Sequence, residues 1–168
     1  TISGSKIQLT DTSQDRETGS AWYVAPVDVQ GFTTNFTLQF PTVQAAPLGG
    51  TTFTIPNQPP ASSDTGDLLA VSGGPYDVGG VSGTMGYSQT LSSVAIKFDL
   101  SNNTTGVLTD GAAPSTQRTP MTGINLNSGH PMDVLLTYSG TTLSFSITDS
   151  VTHANFTTNF YNVNIPSS

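Results

Sequence analysis

The residues of this chain that could do chemistry are few and scattered. Of 168 residues eleven are acidic, with Glu17 the single glutamate; four are basic (Lys6, Arg16, Lys97 and Arg118), two are histidine and none is cysteine. Retaining glycoside hydrolysis needs two carboxyl groups held about 5 to 5.5 Å apart, one with a raised pKa. His130, beside Pro131, and His153, beside Ala154, lie far apart without metal-ligand spacing and read as solvated turn residues. No Ser-His-Asp arrangement, phosphate loop or zinc triad is recognisable. Lys97 and Asp99, two apart on a strand and so on one face of it, predict a solvent-exposed ion pair rather than a metal site. Asp67, taken alone, is a loop carboxylate of the kind that caps nearby N–H groups. Asn35, Asn102, Asn103 and Asn155 each begin an Asn-x-Thr acceptor pattern for glycosylation, which arises readily by chance in a chain this rich in threonine.

The elements that must position these side chains are strands. Strong helix formers are scarce and β-compatible residues abundant, which nearly excludes an all-α fold. In Phe32 to Phe40 the residues Phe32, Phe36, Leu38 and Phe40 share one face while Thr33, Asn35, Thr37 and Gln39 share the other. In Val94 to Leu100 the residues Val94, Ile96, Phe98 and Leu100 point inward and Ala95, Lys97 and Asp99 outward. Asp133 to Tyr138 and Leu143 to Thr148 flank Ser139-Gly140, a hairpin turn in which glycine supplies positive φ cheaply. Weaker strand signals cover Lys6 to Leu9, Ala21 to Val24, Leu68 to Val71 and Phe156 to Val163. The Gly/Pro/Ser/Asn-rich stretches 41–50, 56–66, 72–93 and 104–129 read as loops, the longest of them either functional or hiding short strands. Many short antiparallel strands with turn signals indicate one all-β domain, residues 1–168, built as a two-sheet antiparallel β-sandwich with Phe32, Phe36, Leu38, Phe40, Ile96 and Phe98 in one core.

Composition narrows the partners. A formal charge of −7 and four scattered cations cannot replace the counterions around a nucleic acid, and anionic membrane surfaces are disfavoured for the same reason. No apolar run is long enough to span a bilayer, so no membrane insertion is expected.

The order of segments resembles the legume-type (L-type) lectin domain, in particular its bacterial extracellular branch with a concanavalin-like jelly roll. The segments that carry the resemblance are Gly19-Ser20-Ala21-Trp22-Tyr23 with Pro26-Val27, the Phe32 to Phe40 strand, Gly66 to Val71, Ser82 to Tyr87, Val94 to Asp99 and the hairpin Val134 to Thr148. The resemblance implies a carbohydrate site at one edge of a concave sheet. Asp67 matches the aspartate that accepts hydrogen bonds from two sugar hydroxyls, a task suited to an ionised carboxylate. Gly83 matches the glycine whose backbone N–H donates to the sugar, and Asn103, with Asn102 as the alternate, the asparagine that bonds sugar and touches calcium. Lys97 stands where the family has the glutamate of a transition-metal site and Thr104 near where it has the histidine, so that site is expected to be absent. Asp99 remains, and a weak calcium site at Asp99 and Asn103 would need further oxygens from loop carbonyls or Asp110, because calcium takes six to eight. Leu68 and Ser101 also depart from the pattern, Ser101 at the position of an aromatic.

Three function classes follow. A non-catalytic, extracellular or cell-surface carbohydrate-binding module leads. A structural or adhesive subunit of a bacterial surface protein or extracellular filament comes second: the resemblance implies terminal strands that this sequence lacks, leaving a sheet edge for self-association. An enzyme related to the laminarinase-like hydrolases is third and is not expected, since those relatives use two glutamates on one strand and Glu17 stands alone.

Overall fold

The computed structural model describes all residues except 1, 4, 11–18, 22, 24, 26, 43–48, 57–84, 88–89, 91 and 166–168. The described strands are β1 (Ile2–Ser3), β2 (Lys6–Ile7), β3 (Gly31–Gln39), β4 (Gly50–Pro56), β5 (Ser93–Asp99), β6 (Thr104–Thr109), β7 (Thr119–Pro120), β8 (Pro131–Ser139), β9 (Thr142–Asp149) and β10 (Asn155–Phe160), with one 3-10 turn at Leu126–Ser128. They form two four-stranded antiparallel sheets, ordered β10-β9-β8-β3 and β4-β5-β6-β7, and a small β1-β2 pair. The fold is the all-β sandwich that the sequence implies.

Alternating side chains from both sheets build the core. Phe98 of β5 packs edge-on against Phe36 of β3 at 6.3 Å and tilted against Phe145 of β9 at 5.9 Å, while Phe36 stacks on Phe53 of β4 at 4.9 Å. These ring pairs span the two layers, and large aromatic side chains dominate such burial. Ile96 and Phe98 are fully buried; Phe32, Phe36, Leu38 and Phe40 are half-buried and pack on the same cluster. The hairpin β8–β9 turns at Gly140 with φ of 65°, the conformation for which glycine is the least costly residue.

The two sheets differ on their outer faces. Along β3 exposed and half-buried residues alternate, and Thr33 meets Thr137 at 3.2 Å while Thr37 donates to Asp133 at 2.7 Å in the open. All seven residues of β5 are buried. Ala95 packs with Tyr87 and Leu108 on the side away from the main core, so the reading of Ala95, Lys97 and Asp99 as a solvated face is corrected. Several boundaries move as well. The stretch 104–129 contains β6 and β7, β4 lies where the sequence reading placed no strand, and Ala21 and Tyr23 are not in a strand. The strand signal at Lys6 to Leu9 shrinks to Lys6–Ile7, and the last strand is Asn155–Phe160. The signal at Leu68 to Val71 lies outside the described residues.

Candidate carbohydrate-binding loops

Several strands end together: β5 at Asp99 beside the start of β4, with β6 beginning at Thr104. Between Asp99 and Thr104 the chain turns sharply, with Asn103 at φ of 52°, a left-handed conformation that asparagine tolerates better than most residues. Asp99 organises the turn. Its carboxylate accepts from the Asn102 backbone N–H (3.1 Å), from Asn102 Nδ2 (3.0 Å) and from Thr104 Oγ1 (3.4 Å).

Asn103 ties that turn to the next loop. Its Nδ2 donates to the Ile124 carbonyl at 2.7 Å, its Oδ1 accepts from the Leu126 N–H at 3.0 Å, and its backbone carbonyl accepts from the Met121 N–H at 3.2 Å. Asn127 Nδ2 donates to the Leu100 carbonyl at 3.0 Å, and the Gly49 N–H donates to Ser101 Oγ at 3.1 Å. Residues 49, 99–104 and 121–127 thus form one hydrogen-bonded cluster, which suits a surface built from loops on a rigid scaffold. Asp67 and Gly83 lie outside the described residues.

Lys97 is the second organiser. It is fully buried, its Nζ lies 3.8 Å from Asp99 Oδ2, and it donates to the Pro114 carbonyl. Burial pushes the ammonium pKa down, and the Asp99 charge opposes that shift. Directly across from Lys97 on β6 is Gly106, where a Cβ would stand 2.7 Å from Gln117 Cβ and 3.0 Å from the Gln117 carbonyl oxygen. A glycine there lets the 111–118 loop lie flat over the sheet and put Pro114 above the ammonium. The Lys97–Asp99 pair is therefore a buried one, a correction to the exposed pair expected from strand alternation.

These residues do not fit calcium. Asp99 already receives an ammonium and three donors, and Asn103 Oδ1 receives an N–H. Asp110 follows the far end of β6, where its N–H donates to Ser93, about 20 Å along the strand from Asp99 at roughly 3.3 Å per residue. Asn127 Oδ1 is buried with no partner among the described residues, but one neutral oxygen is far short of the six to eight that calcium takes.

One pairing escaped the sequence reading. His130, expected to be solvated, places Nδ1 2.9 Å from Asp149 Oδ2. Burial pushes the Asp149 pKa up, but the Thr152 and Val151 N–H groups and His130 outweigh it and hold the carboxyl well below the usual carboxylate range. The β8–β9 hairpin brings the two together by pairing Met132 with Asp149, a juxtaposition with no local sequence signal. His153 is exposed. Elsewhere, a shallow trough of about 270 Å³ on the outer face of β8–β10 is lined by Leu135, Thr137, Ser144, Ser146, Thr157 and Asn159.

The family model of the legume lectin domain matches residues 1–166 of the chain. No curated protein matches it significantly.

Proposed function

The chain belongs to the legume lectin domain family, and from that premise we propose that it is a non-catalytic carbohydrate-binding module of the cell surface or extracellular space. Family membership supports carbohydrate binding in general, and the match over residues 1–166 is the observation that carries the reading. The sugar site is assigned to the loops at the Asp99–Thr104 end. Asp67 is the charged acceptor for sugar hydroxyls and Gly83 the backbone donor. Asn103 supports them by tying the 99–104 turn to the 121–127 loop through the Ile124 carbonyl and the Leu126 N–H. A glycan array probed with the soluble chain tests this: binding to a related set of glycans is expected, and silence across sugars of every class would overturn it.

A second reading, a structural or adhesive subunit, is supported by β10, which no described strand pairs on its outer side. Such an edge is a template for pairing with another chain. Sedimentation at high concentration decides it: concentration-dependent assembly supports edge pairing, and a monodisperse monomer contradicts it.

A further inference from the structure

The Lys97 ammonium lies against a carboxylate, Asp99, where the resemblance would have Asp99 share a bound cation. We propose that Lys97 is a built-in cation that takes over the organising work of a bound divalent ion, so that the loop end of this sandwich is assembled without metal. Four observations converge on this. The amine is fully buried and within 3.8 Å of Asp99 Oδ2. It donates to the Pro114 carbonyl of the covering loop, which is how a loop carbonyl would serve a metal. Gly106 across the ladder leaves the space that this loop occupies. Asp99 and Asn103 Oδ1 already receive Asn102, Thr104 and Leu126, and among the described residues the single unpartnered oxygen of this cluster, Asn127 Oδ1, is far short of a calcium shell.

The physical difference between the two arrangements is one of entropy and supply. A metal is lost by dilution or chelation, whereas an ammonium on the same polypeptide is always present at its site. A buried charge is tolerated only when it is paired and hydrogen-bonded, and both conditions hold for Lys97. Asp99 and the 111–118 loop should accordingly be as ordered in chelator as in calcium. The inference stands apart from sugar recognition, since its readouts are melting and metal binding.

The test uses the wild-type chain first. Thermal melts in EDTA and in millimolar calcium are expected to coincide within about 1 °C, because only a ligand that binds the folded state raises the midpoint. Equilibrium dialysis against calcium is expected to give no stoichiometric uptake. A calcium-dependent rise of several degrees, or one ion held per chain, overturns the proposal. Lys97→Met then keeps the aliphatic stem without the charge: its midpoint is expected to fall by on the order of 10 °C, with faster amide exchange in 112–118. The double variant Lys97→Met/Asp99→Asn should recover a large part of that fall, since it removes the orphaned carboxylate too. A Lys97→Met chain that melts like wild type, or a double variant no better than the single, shows that the ammonium does not act as the cation. Should Lys97→Met fail to fold, the double variant and the wild-type calcium measurements still decide.

Discussion

Strands β3 and β5 lie in opposite layers of one sandwich and obey the alternation rule to different degrees. On β3 every second residue meets water, and in the open Thr33 bonds to Thr137 and Thr37 to Asp133, both across to β8. On β5 the inward set Val94, Ile96 and Phe98 meets the core, and the outward set Ala95, Lys97 and Asp99 is also buried, Ala95 packed with Tyr87 and its β6 neighbour Leu108 and Lys97 bonded to the Pro114 loop. Period two in a sequence tells which residues share a face. It does not tell whether loops from elsewhere cover that face. A charged residue on a covered face must find partners, which is why the ion pair of β5 organises a covering loop while Thr33 and Thr37 of β3 bond across to β8 at the solvent.

The largest effect expected from breaking that contrast is at the shared core. Phe98→Ala should cost about 3–5 kcal/mol, read as a drop in denaturant midpoint, and Phe36→Ala less because Phe36 is only half-buried. Equal losses at both would mean that the two layers do not differ as described. Gly106→Ala should cost about 1–3 kcal/mol by forcing a Cβ against the Cβ and carbonyl oxygen of Gln117, whereas Thr33→Ala on the open face should stay within about 0.5 kcal/mol. Protease nicking of 111–118 in Gly106→Ala would locate that loss in the covering loop.

A pH series sharpens the comparison at the hairpin. Asp149 is held below its ordinary range when folded, so its contribution is complete above the unfolded carboxylate pKa near 3.9 and is lost as pH falls below it. Melting midpoints should therefore decline below about pH 4, and Asp149→Asn should flatten that part of the curve; an unchanged acid limb would remove Asp149 from the account. The smallest effect belongs to Thr105, whose buried Oγ1 has no hydrogen-bond partner among the described residues. Thr105→Val keeps the shape and removes the stranded hydroxyl, so stability should hold or rise by up to about 1 kcal/mol.

The same contrast explains what the sequence made legible. β3, β5 and the β8–β9 hairpin announce themselves through regular alternation and the Ser139-Gly140 turn. β4, Gly50–Pro56, and β6, Thr104–Thr109, do not, because threonine serves either face and Gly106, read alone, looks like a loop residue rather than the seat of a covering loop. As site residues Asp99 and Asn103 stood out only through the family resemblance; the hydrogen-bond partners of Asn103 at 121–126 come from a loop with no periodicity of its own. His130 and Asp149 meet only because a hairpin closes.

Carbohydrate recognition through Asp67 is the central claim, and titration calorimetry with the strongest glycan from the array tests it most directly. An amide in place of the carboxylate keeps the shape and loses the charge, and hydrogen bonds to charged groups contribute about 1.5–3 kcal/mol. Asp67→Asn should accordingly weaken binding roughly tenfold or more while leaving the melting midpoint within a degree or two of wild type. Equal affinity in the two proteins would contradict the account and place the sugar elsewhere on the molecule.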